Sequence, residues 1–236
     1  MIALLIRTPW RGLDRLLSDH EALTALRLSI ECASAATIIS LVLGVPLAWV
    51  LARVTVPGMA MLRAVVTLPL VLPPVVGGVA LLLAFGRSGL LGRELDGFFG
   101  ITLPFTVPGV ITAETFVAMP FLVVAVEGAI KSGDPGLEEA AATLGASRVT
   151  VFRRVTLPLI APSLLAGSVL CWARALGEFG ATITFAGNFP GTTQTMPLAV
   201  YNALETDPEA AIALSLVLLL VAAVVLAALR DRWLRA

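Results

Sequence analysis

The amino-acid sequence predicts an all-α integral membrane protein with about five transmembrane helices. Of its 236 residues, 58% are hydrophobic and only 14% are charged, whereas a soluble domain is about half apolar and a quarter charged. The mean hydropathy of +0.96 agrees with this. The charged residues are concentrated between long apolar runs, which is the pattern of a chain that crosses a membrane several times.

Five apolar runs are long enough to cross the hydrocarbon layer, which takes about 20 residues of helix. They lie at 32–52, 64–85, 107–126, 155–173 and 210–229. Only the third contains a charged residue, Glu114, which we expect to reach the lipid interface or to take part in helix packing. The first run extends back toward Ala22, because apolar residues continue at helical spacing past Arg27 and Glu31. These two residues are four apart and should form an ion pair.

The runs divide the chain into an N-terminal segment at 1–20, predicted as interfacial, a transmembrane domain at 21–230 and a short cytoplasmic tail at 231–236. The segment 177–204 is also apolar, but glycine, proline, asparagine and threonine interrupt it too often for one continuous helix. We expect it to extend the fourth helix outward and then form an external loop, with a partly re-entrant path left open.

Lysine and arginine placement predicts the orientation, because short cytoplasmic loops collect these residues. The loops 53–63 and 127–157 and the C-terminal tail all carry them, so we place these three on the cytoplasmic side. Five crossings then put the N-terminus outside. Four arginines before or near the start of the first helix disagree with that placement: Arg7, Arg11, Arg15 and Arg27.

The loop 127–157 predicts two short helices joined by a turn. Asp134 and Pro135 suit the N-cap and the first position of a helix. An apolar stripe then follows at helical spacing: Leu137, Ala140, Ala141 and Leu144. We expect the stripe to pack inward, with Glu138 and Glu139 facing solvent.

The turn and the second short helix follow directly. Gly145 suits the left-handed backbone that ends a helix, and Ser147 suits the cap of the next one. That second piece carries three arginines and an exposed apolar surface that includes Phe152. Leu157 then begins the fourth membrane helix. From periodicity alone, an ordinary amphipathic loop on the lipid headgroups explains the segment equally well.

The spacing in this loop resembles the signature of permease subunits of ATP-binding-cassette importers. In that signature, Glu-Ala-Ala is followed after three residues by Gly and after nine more by Ile-x-Leu-Pro. The matching residues here are Glu139, Ala140, Ala141, Gly145, Val155, Leu157 and Pro158, and Val155 in place of Ile is the only departure. The resemblance implies a type I importer permease fold and a coupling helix that docks into a cleft on a separate ATPase subunit. Phe152 and Glu139 would contribute to that docking.

Two further stretches are similar to the molybdate permeases of this superfamily: "LPLVLPPVVGGVALLLAFGRSGLLG" at 68–92 and "WARALGEFGATITFAGNFPGTTQTMPLAVY" at 172–201. The similarity extends over nearly the whole chain from about residue 20. Sulfate and thiosulfate permeases are the nearest alternative, but they tend to have Tyr-Gly-Ser where this chain has Phe179, Gly180 and Ala181. Tungstate is a further alternative, because it matches molybdate in size and charge.

The resemblance also implies the partners and the location of the protein. An ATPase subunit would bind on the cytoplasmic side and an oxyanion-binding protein outside, while a second copy of the chain would complete a homodimer surrounded by membrane lipid. The location would be the cytoplasmic membrane of a bacterium or an archaeon. The chain has no GxxxxGK[ST] loop, so ATP hydrolysis belongs to another polypeptide. We predict no enzyme site, cofactor, metal or nucleic-acid partner in this chain.

The second apolar run contains a candidate gate formed by Pro73, Pro74, Gly77 and Gly78. A proline inside a helix removes a backbone hydrogen bond and kinks the helix. Broken backbone at membrane depth is tolerated where protein or a water-filled cavity surrounds it. A permanently kinked helix with close glycine packing explains the same residues equally well.

Arg174 and Glu178 are four residues apart near the end of the fourth run. Ionisable residues in or near a membrane segment usually face a bundle interior or an aqueous path. We favour a neutralised structural pair, and we keep as an alternative a vestibule cation that attracts an oxyanion. A channel or carrier that works without an ATPase is the distant alternative, since it would need ion sites that these few charges do not supply.

Overall fold

The computed structural model describes residues 2–8, 10 and 19–233, and these ranges contain helices, turns and loops but no strand. Half of the predicted interfacial segment 1–20 lies outside them. In chain order the helices are α1 (Ile2–Arg7), α2 (His20–Arg53), α3 (Met59–Thr67), α4 (Pro74–Phe85), α5 (Gly92–Phe99), α6 (Val107–Ser132), α7 (Pro135–Thr143), α8 (Arg148–Val151), α9 (Leu157–Leu176), α10 (Gly180–Phe185), α11 (Met196–Thr206) and α12 (Pro208–Trp233).

Four long helical segments are apolar and long enough to cross a membrane: α2, α6, the segment from α8 through α9, and α12. They confirm four of the five predicted runs. The start of α2 at His20 confirms the predicted backward extension. Arg27 and Glu31 form the predicted ion pair, with 2.7 Å between Arg27 Nε and Glu31 Oε1.

The run at 64–85 is not one continuous helix, and the kink that its prolines predict is present as a complete break. A 3₁₀ turn at Leu68–Leu70 ends α3, and the pair Met59–Leu70 and Pro74–Phe85 bends by 118°. Pro73 and Pro74 carry no backbone N–H, and each proline disfavours helical geometry in the residue before it. Proline is tolerated in the first turn of a helix, so a new helix begins at Pro74.

The long helices α2 and α6 run parallel to each other. Near their beginnings, Cys32 and Val110 share one buried apolar cluster, and near their ends Leu51 and Ile130 share another. The segment between them, 54–106, must therefore connect the end of one helix to the opposite end of the other. The broken pair α3 and α4 thus makes one net crossing of the bundle, which gives the five crossings predicted.

The helix α9 runs opposite to α2 and α6, whereas α12 runs parallel to them. Thr156, just before α9, hydrogen-bonds Glu138 beside the end of α2, whereas Trp172 Nε1 donates to Ser34 Oγ in the first half of α2. Near the start of α12, Leu214 packs with Ala22. We call the end of the bundle with Glu138 the α7 end, and the opposite end the far end.

Small residues let the helices approach closely in the core. Ala33, Ala36 and Ala48 of α2 are fully buried against α6 and α9. A Cβ added at Gly44 of α2 would lie 3.2 Å from Val123 Cγ2. Close packing of this kind is a principal source of helix association in membranes, where lipid tails are as apolar as the side chains.

The predicted outward extension and external loop at 177–204 are wrong. The helix α9 ends at Leu176, and α10 follows within four residues and packs between α4 and α6. Ala181, Thr182 and Phe185 of α10 are fully buried. The buried α10 agrees with the partly re-entrant path that was left open, although a six-residue helix is too short for periodicity to show its burial.

We predict that Gly78→Ala destabilises the protein through its contact with α10. The added Cβ would lie 2.7 Å from Thr184 Cβ and 2.9 Å from the carbonyl oxygen of Ala181, and overpacking of this kind costs about 1–3 kcal/mol. Gly128→Ala on α6 is the matched control, because nothing lies within 4 Å of its added Cβ. Thermal unfolding in detergent should show a lower midpoint for Gly78→Ala only. Equal midpoints for the two variants would contradict the close approach of α4 and α10.

Candidate coupling site and gate

The segment 134–156 at the α7 end begins with the predicted cap and turn. Asp134 Oδ1 accepts a hydrogen bond from the Gly136 N–H at 2.9 Å, which makes Asp134 the N-cap of α7. Gly145 has the predicted left-handed backbone with φ +85°. Ser147 Oγ then accepts from the Thr150 N–H and caps α8. These three local predictions are confirmed.

The predicted orientation of α7 is wrong. Glu138 faces the protein, where its Oε1 accepts from Arg53 Nη2 and from Thr156 Oγ1, each at 2.8 Å. The apolar stripe expected to pack inward instead faces out, and Leu137 and Leu144 are 47% and 88% exposed. A partly buried guanidinium at the end of α2 needs a carboxylate partner, and this requirement decides which side of the short helix turns inward.

A second charged cluster lies beside the first. Glu127 Oε1 on α6 accepts from Lys131 Nζ at 2.6 Å and from Arg63 Nε at 2.9 Å. Arg63 also donates to the carbonyl oxygen of Leu51 in the last turn of α2, where carbonyl groups lack helical partners. The two clusters together connect the ends of α2, α3, α6 and α7 and the start of the helical segment 148–176.

The helical segment that follows α7 is continuous rather than a separate short helix and membrane helix. A π-helical turn at Phe152–Thr156 joins α8 to α9, and the Leu157 N–H donates to the carbonyl oxygen of Phe152. Pro158 lacks an N–H and its ring would clash with the carbonyl four residues earlier, so the wider turn accommodates it. The segment 148–176 is therefore one continuous helical path from the α7 end toward the far end.

The structure places the predicted coupling residues on different surfaces. Glu139 and Ala140 on α7 are exposed, and Ala141 is partly buried. Phe152 is half-buried and lines a groove against α2, so it does not present the exposed surface that we expected. Val149 is 67% exposed and lies one helical turn closer to α7. Leu144 and Val149 are therefore the prominent outward-facing apolar side chains of this segment.

The predicted gate residues meet at the junction of α4, α6 and α10. Pro73 and Pro74 begin α4. An added Cβ at Gly77 would lie 2.9 Å from the ring of Phe116, and Gly78 is held against α10 in the same way. Gly77 and Gly78 are buried in this contact, whereas Pro73 and Pro74 are exposed, with Pro74 Cβ 2.9 Å from a Cβ added at Gly180.

Arg174 and Glu178 lie next to the same junction. Arg174 Nη1 is 2.6 Å from Glu178 Oε2, and Glu178 is 1% exposed. Glu178 Oε1 also accepts from the Ala181 N–H at 2.8 Å and so holds the start of α10. This geometry is that of a structural pair. Glu114 is also fully buried, on the inner face of α6, so it takes part in helix packing and does not reach the lipid interface.

Sequence reasoning did not identify the role of Glu138, Arg53, Glu127 or Arg63. Arg53 and Glu138 are 85 residues apart, and Arg63 and Glu127 are 64 residues apart, so no local spacing connects them. The available signal was the position of both arginines at the predicted cytoplasmic ends of membrane helices, opposite a loop that carries acids.

The fold and the 134–156 segment define the class of the protein as a membrane permease of a multisubunit importer. The family described as "Binding-protein-dependent transport system inner membrane component" matches residues 40–236, and the chain belongs to this family. Its relatives include the molybdenum transport system permease protein ModB of Mycobacterium tuberculosis, which is 51% identical over 225 residues and covers 95% of this chain and 85% of that protein.

Two further relatives are also molybdenum transport system permease proteins. The molybdenum transport system permease protein ModB of Escherichia coli is 44% identical over 219 residues, 93% of this chain and 95% of that protein. The protein of the same name from Haemophilus influenzae is 46% identical over 184 residues, 78% of this chain and 80% of that protein.

Solved structures confirm the importer permease fold. A bacterial ABC transporter involved in the import of alginate has a chain that matches with a TM-score of 0.79 at 19% identity, over 98% of this chain and 86% of that one. The MetNI methionine ABC transporter, in an inward-facing conformation, matches with a TM-score of 0.69 at 19% identity, over 90% of this chain and 94% of that one. At this identity the likeness shows the fold alone.

We predict that the Arg53–Glu138 pair has a measurable coupling energy. Both side chains are about three-quarters buried (25% and 24% exposed), whereas the Arg27–Glu31 pair is exposed (80% and 57%). Hydrogen bonds to charged groups contribute about 1.5–3 kcal/mol, while exposed pairs contribute less than about 1 kcal/mol. Two double-mutant cycles would measure the coupling energies from unfolding in detergent. One cycle uses Arg53→Gln and Glu138→Gln, and the other uses Arg27→Gln and Glu31→Gln. A coupling energy at 53 and 138 no larger than at 27 and 31 would contradict this assignment.

Proposed function

We propose that the chain is the permease subunit of an ATP-driven importer that carries molybdate across the cytoplasmic membrane. Identity of 44–51% to molybdenum transport permeases over most of the chain supports the substrate. Sulfate, thiosulfate and tungstate are the alternative oxyanions. The whole complex would hydrolyse ATP in a separate subunit, since the sequence contains no phosphate-binding loop.

The outward-facing apolar stripe of α7 is the observation that carries the coupling role. Leu137 and Leu144 are exposed on a helix whose Glu138 is tied to the protein behind it. An isolated nine-residue helix is not stable on its own in water, and the Glu138 contact that orients α7 leaves Leu137 and Leu144 exposed. Such a stripe suits docking into a groove on another protein. Ala140, also exposed, would lie at the edge of that contact, whereas Glu139 lies on the side of α7 that lines the groove beside α2.

Membrane orientation follows from this role. The α7 end faces the cytoplasm, where ATP is available, and the far end faces the outside, where a binding protein delivers the oxyanion. His20 at the start of α2 is then outside and α12 runs back toward the cytoplasm. One solved alginate transporter is described in complex with a substrate-bound periplasmic protein, and its fold resembles that of this chain.

Two copies of the chain would enclose the path. Four long helical segments and one broken span form a thin wall, so a second copy is needed to complete a channel. Closing of the ATPase subunits would bring the two α7 helices together, and each half would rotate as a rigid body between inward-open and outward-open states. The ATPase drives this change because it binds the two states with different affinity.

The contact between α4 and α10 is the proposed gate. It lies in the far half of the bundle, beside the break at Pro73 and Pro74. Gly78 permits close contact of α4 with α10, and Glu178 holds the first turn of α10. Arg174, with a side chain that is 27% exposed, would reach the edge of the path while neutralising Glu178.

We predict that Leu144→Asp abolishes ATPase docking while the protein still folds in the membrane. The side chain is 88% exposed, so the substitution removes an apolar docking contact without disturbing the core. Leu90→Asp is the matched control, because Leu90 is 87% exposed near the far end. Co-purification with the ATPase subunit should fail for Leu144→Asp only.

Gly145→Pro should also uncouple the complex, because proline cannot adopt φ +85°. Wild-type substrate-stimulated ATP hydrolysis in the Gly145→Pro complex would refute the coupling role.

We predict that the reconstituted complex, together with its binding protein, takes up molybdate and that tungstate competes with it. The two oxyanions share size and charge, so both should be carried, whereas sulfate should compete weakly. Uptake of labelled molybdate into proteoliposomes with each competitor tests the substrate. Full transport of sulfate without any response to molybdate would overturn the molybdate assignment and leave the importer class intact.

A further inference from the structure

An apolar groove lies at the α7 end between α2 and the 134–156 segment. Its volume is about 870 Å³. One wall is the second half of α2, and the opposite wall and floor come from α7, α8 and the π-helical turn. The lining residues on α2 are Leu41, Val42, Val45, Pro46, Trp49 and Val50. The lining residues of the 134–156 segment and the start of α9 include Ala142, Ala146, Val151, Phe152 and Leu157.

The depth of this groove in the membrane determines what can fill it. Its α2 wall belongs to a helix that crosses the membrane, and it lies within four turns of the helix end at Arg53. Val42 and Trp49 are 66% and 38% exposed, so the groove is open to the side. An apolar groove at this depth meets acyl chains, and tryptophan is enriched at the boundary between acyl chains and headgroups.

The charges beside the groove suit an anionic headgroup. Arg148 lines it, and Val149 also lines a smaller depression with Arg153 and Arg154. Within the part of the chain that the structure describes, none of these three arginines forms an ion pair. Glu138 and Glu139 line the groove as well, but Glu138 is neutralised by Arg53. Three arginines against the single remaining glutamate leave this rim positively charged.

The helical segment 148–176 begins at the same rim. Ser147 caps it by accepting from the Thr150 N–H, and the first N–H groups of a helix have no partner within the helix. The positive end of the helix dipole therefore adds to the field of Arg148. The groove thus has apolar walls open to the bilayer and a cationic rim at headgroup level. A phospholipid site requires both surfaces, one for the acyl chains and one for the headgroup.

We propose that this groove binds an anionic phospholipid of the adjacent leaflet, such as phosphatidylglycerol. Its phosphate would contact Arg148, and one acyl chain would lie along Val42, Pro46, Trp49 and Phe152. The lipid would then touch α2 and the segment that carries α7 at the same time. The proposal rests on the membrane-spanning fold and not on the identity of the transported substrate.

Trp49 provides a direct reporter, because bromine atoms on an acyl chain quench the fluorescence of a tryptophan they contact. A full-length chain with Trp10, Trp172 and Trp233 changed to Phe keeps Trp49 as its only tryptophan. It would be placed in phosphatidylcholine nanodiscs that contain a minor fraction of either dibrominated phosphatidylglycerol or dibrominated phosphatidylcholine. Phosphatidylglycerol should quench Trp49 more strongly at equal mole fraction. Circular dichroism would establish that each variant is folded.

The Arg148→Gln variant should reduce the preference for phosphatidylglycerol by about fivefold, which is the contribution expected of one basic residue near an anionic lipid surface. Arg93→Gln is the matched control, because Arg93 is an exposed arginine on α5 toward the far end. Ala142→Phe in the groove lining should reduce quenching by both brominated lipids.

Three outcomes would overturn the proposal. Equal quenching by the two lipids in the parent protein would rule out headgroup recognition. An unchanged preference in Arg148→Gln would rule out the assigned phosphate contact. Weak quenching by both lipids in a folded protein would mean that another protein surface, such as a second copy of the chain, covers the groove.

Discussion

The contact between Glu138 and Arg53 is the constraint on which the α7 end of the molecule depends. It joins two parts of the chain that are 85 residues apart, and the same carboxylate oxygen also accepts from Thr156. Three elements therefore meet at one atom: the end of α2, the short helix α7 and the π-helical turn before α9. Partial burial strengthens the contact relative to a surface ion pair, without the full desolvation cost of a deeply buried one.

A second constraint governs the other half of the bundle. Proline at 73 and 74 breaks the second span, and the broken end then packs against α10, where glycine permits contact at backbone distance. The first turn of α10 is in turn held by Glu178. Because the helical segment 148–176 continues from α8 through the π-helical turn to the end of α9, and Glu178 follows it closely, one continuous helical segment links the α7 end to this junction. A displacement of α8 thus has a direct mechanical route to α10.

The sequence was sufficient for features that depend on local composition and on spacing along the chain. Long apolar helices follow from the length of the runs, and the caps at Asp134 and Ser147 and the turn at Gly145 follow from backbone preferences. The direction in which Glu138 faces was not predictable, because it depends on an arginine far away in the chain. For the same reason, helix packing of Glu114 and an inward path for the segment that holds α10 were each only one of two alternatives left open by the sequence. Side-chain direction on a short helix is determined by tertiary partners that periodicity does not reveal.

The position of the ionic contact within α7 also determines the surface that the helix presents. Successive residues on an α-helix are about 100° apart, so Leu144, six residues after Glu138, points about 120° away from the Glu138 side chain. Tying Glu138 to Arg53 therefore turns Leu144 outward. Were Glu139 tied instead, the helix would rotate by about 100° and a different face would be exposed. The two adjacent glutamates thus have separate consequences: the first fixes the rotation of the helix about its axis, and the second, about 140° from Leu144, then points away from the leucines and lines the groove beside α2.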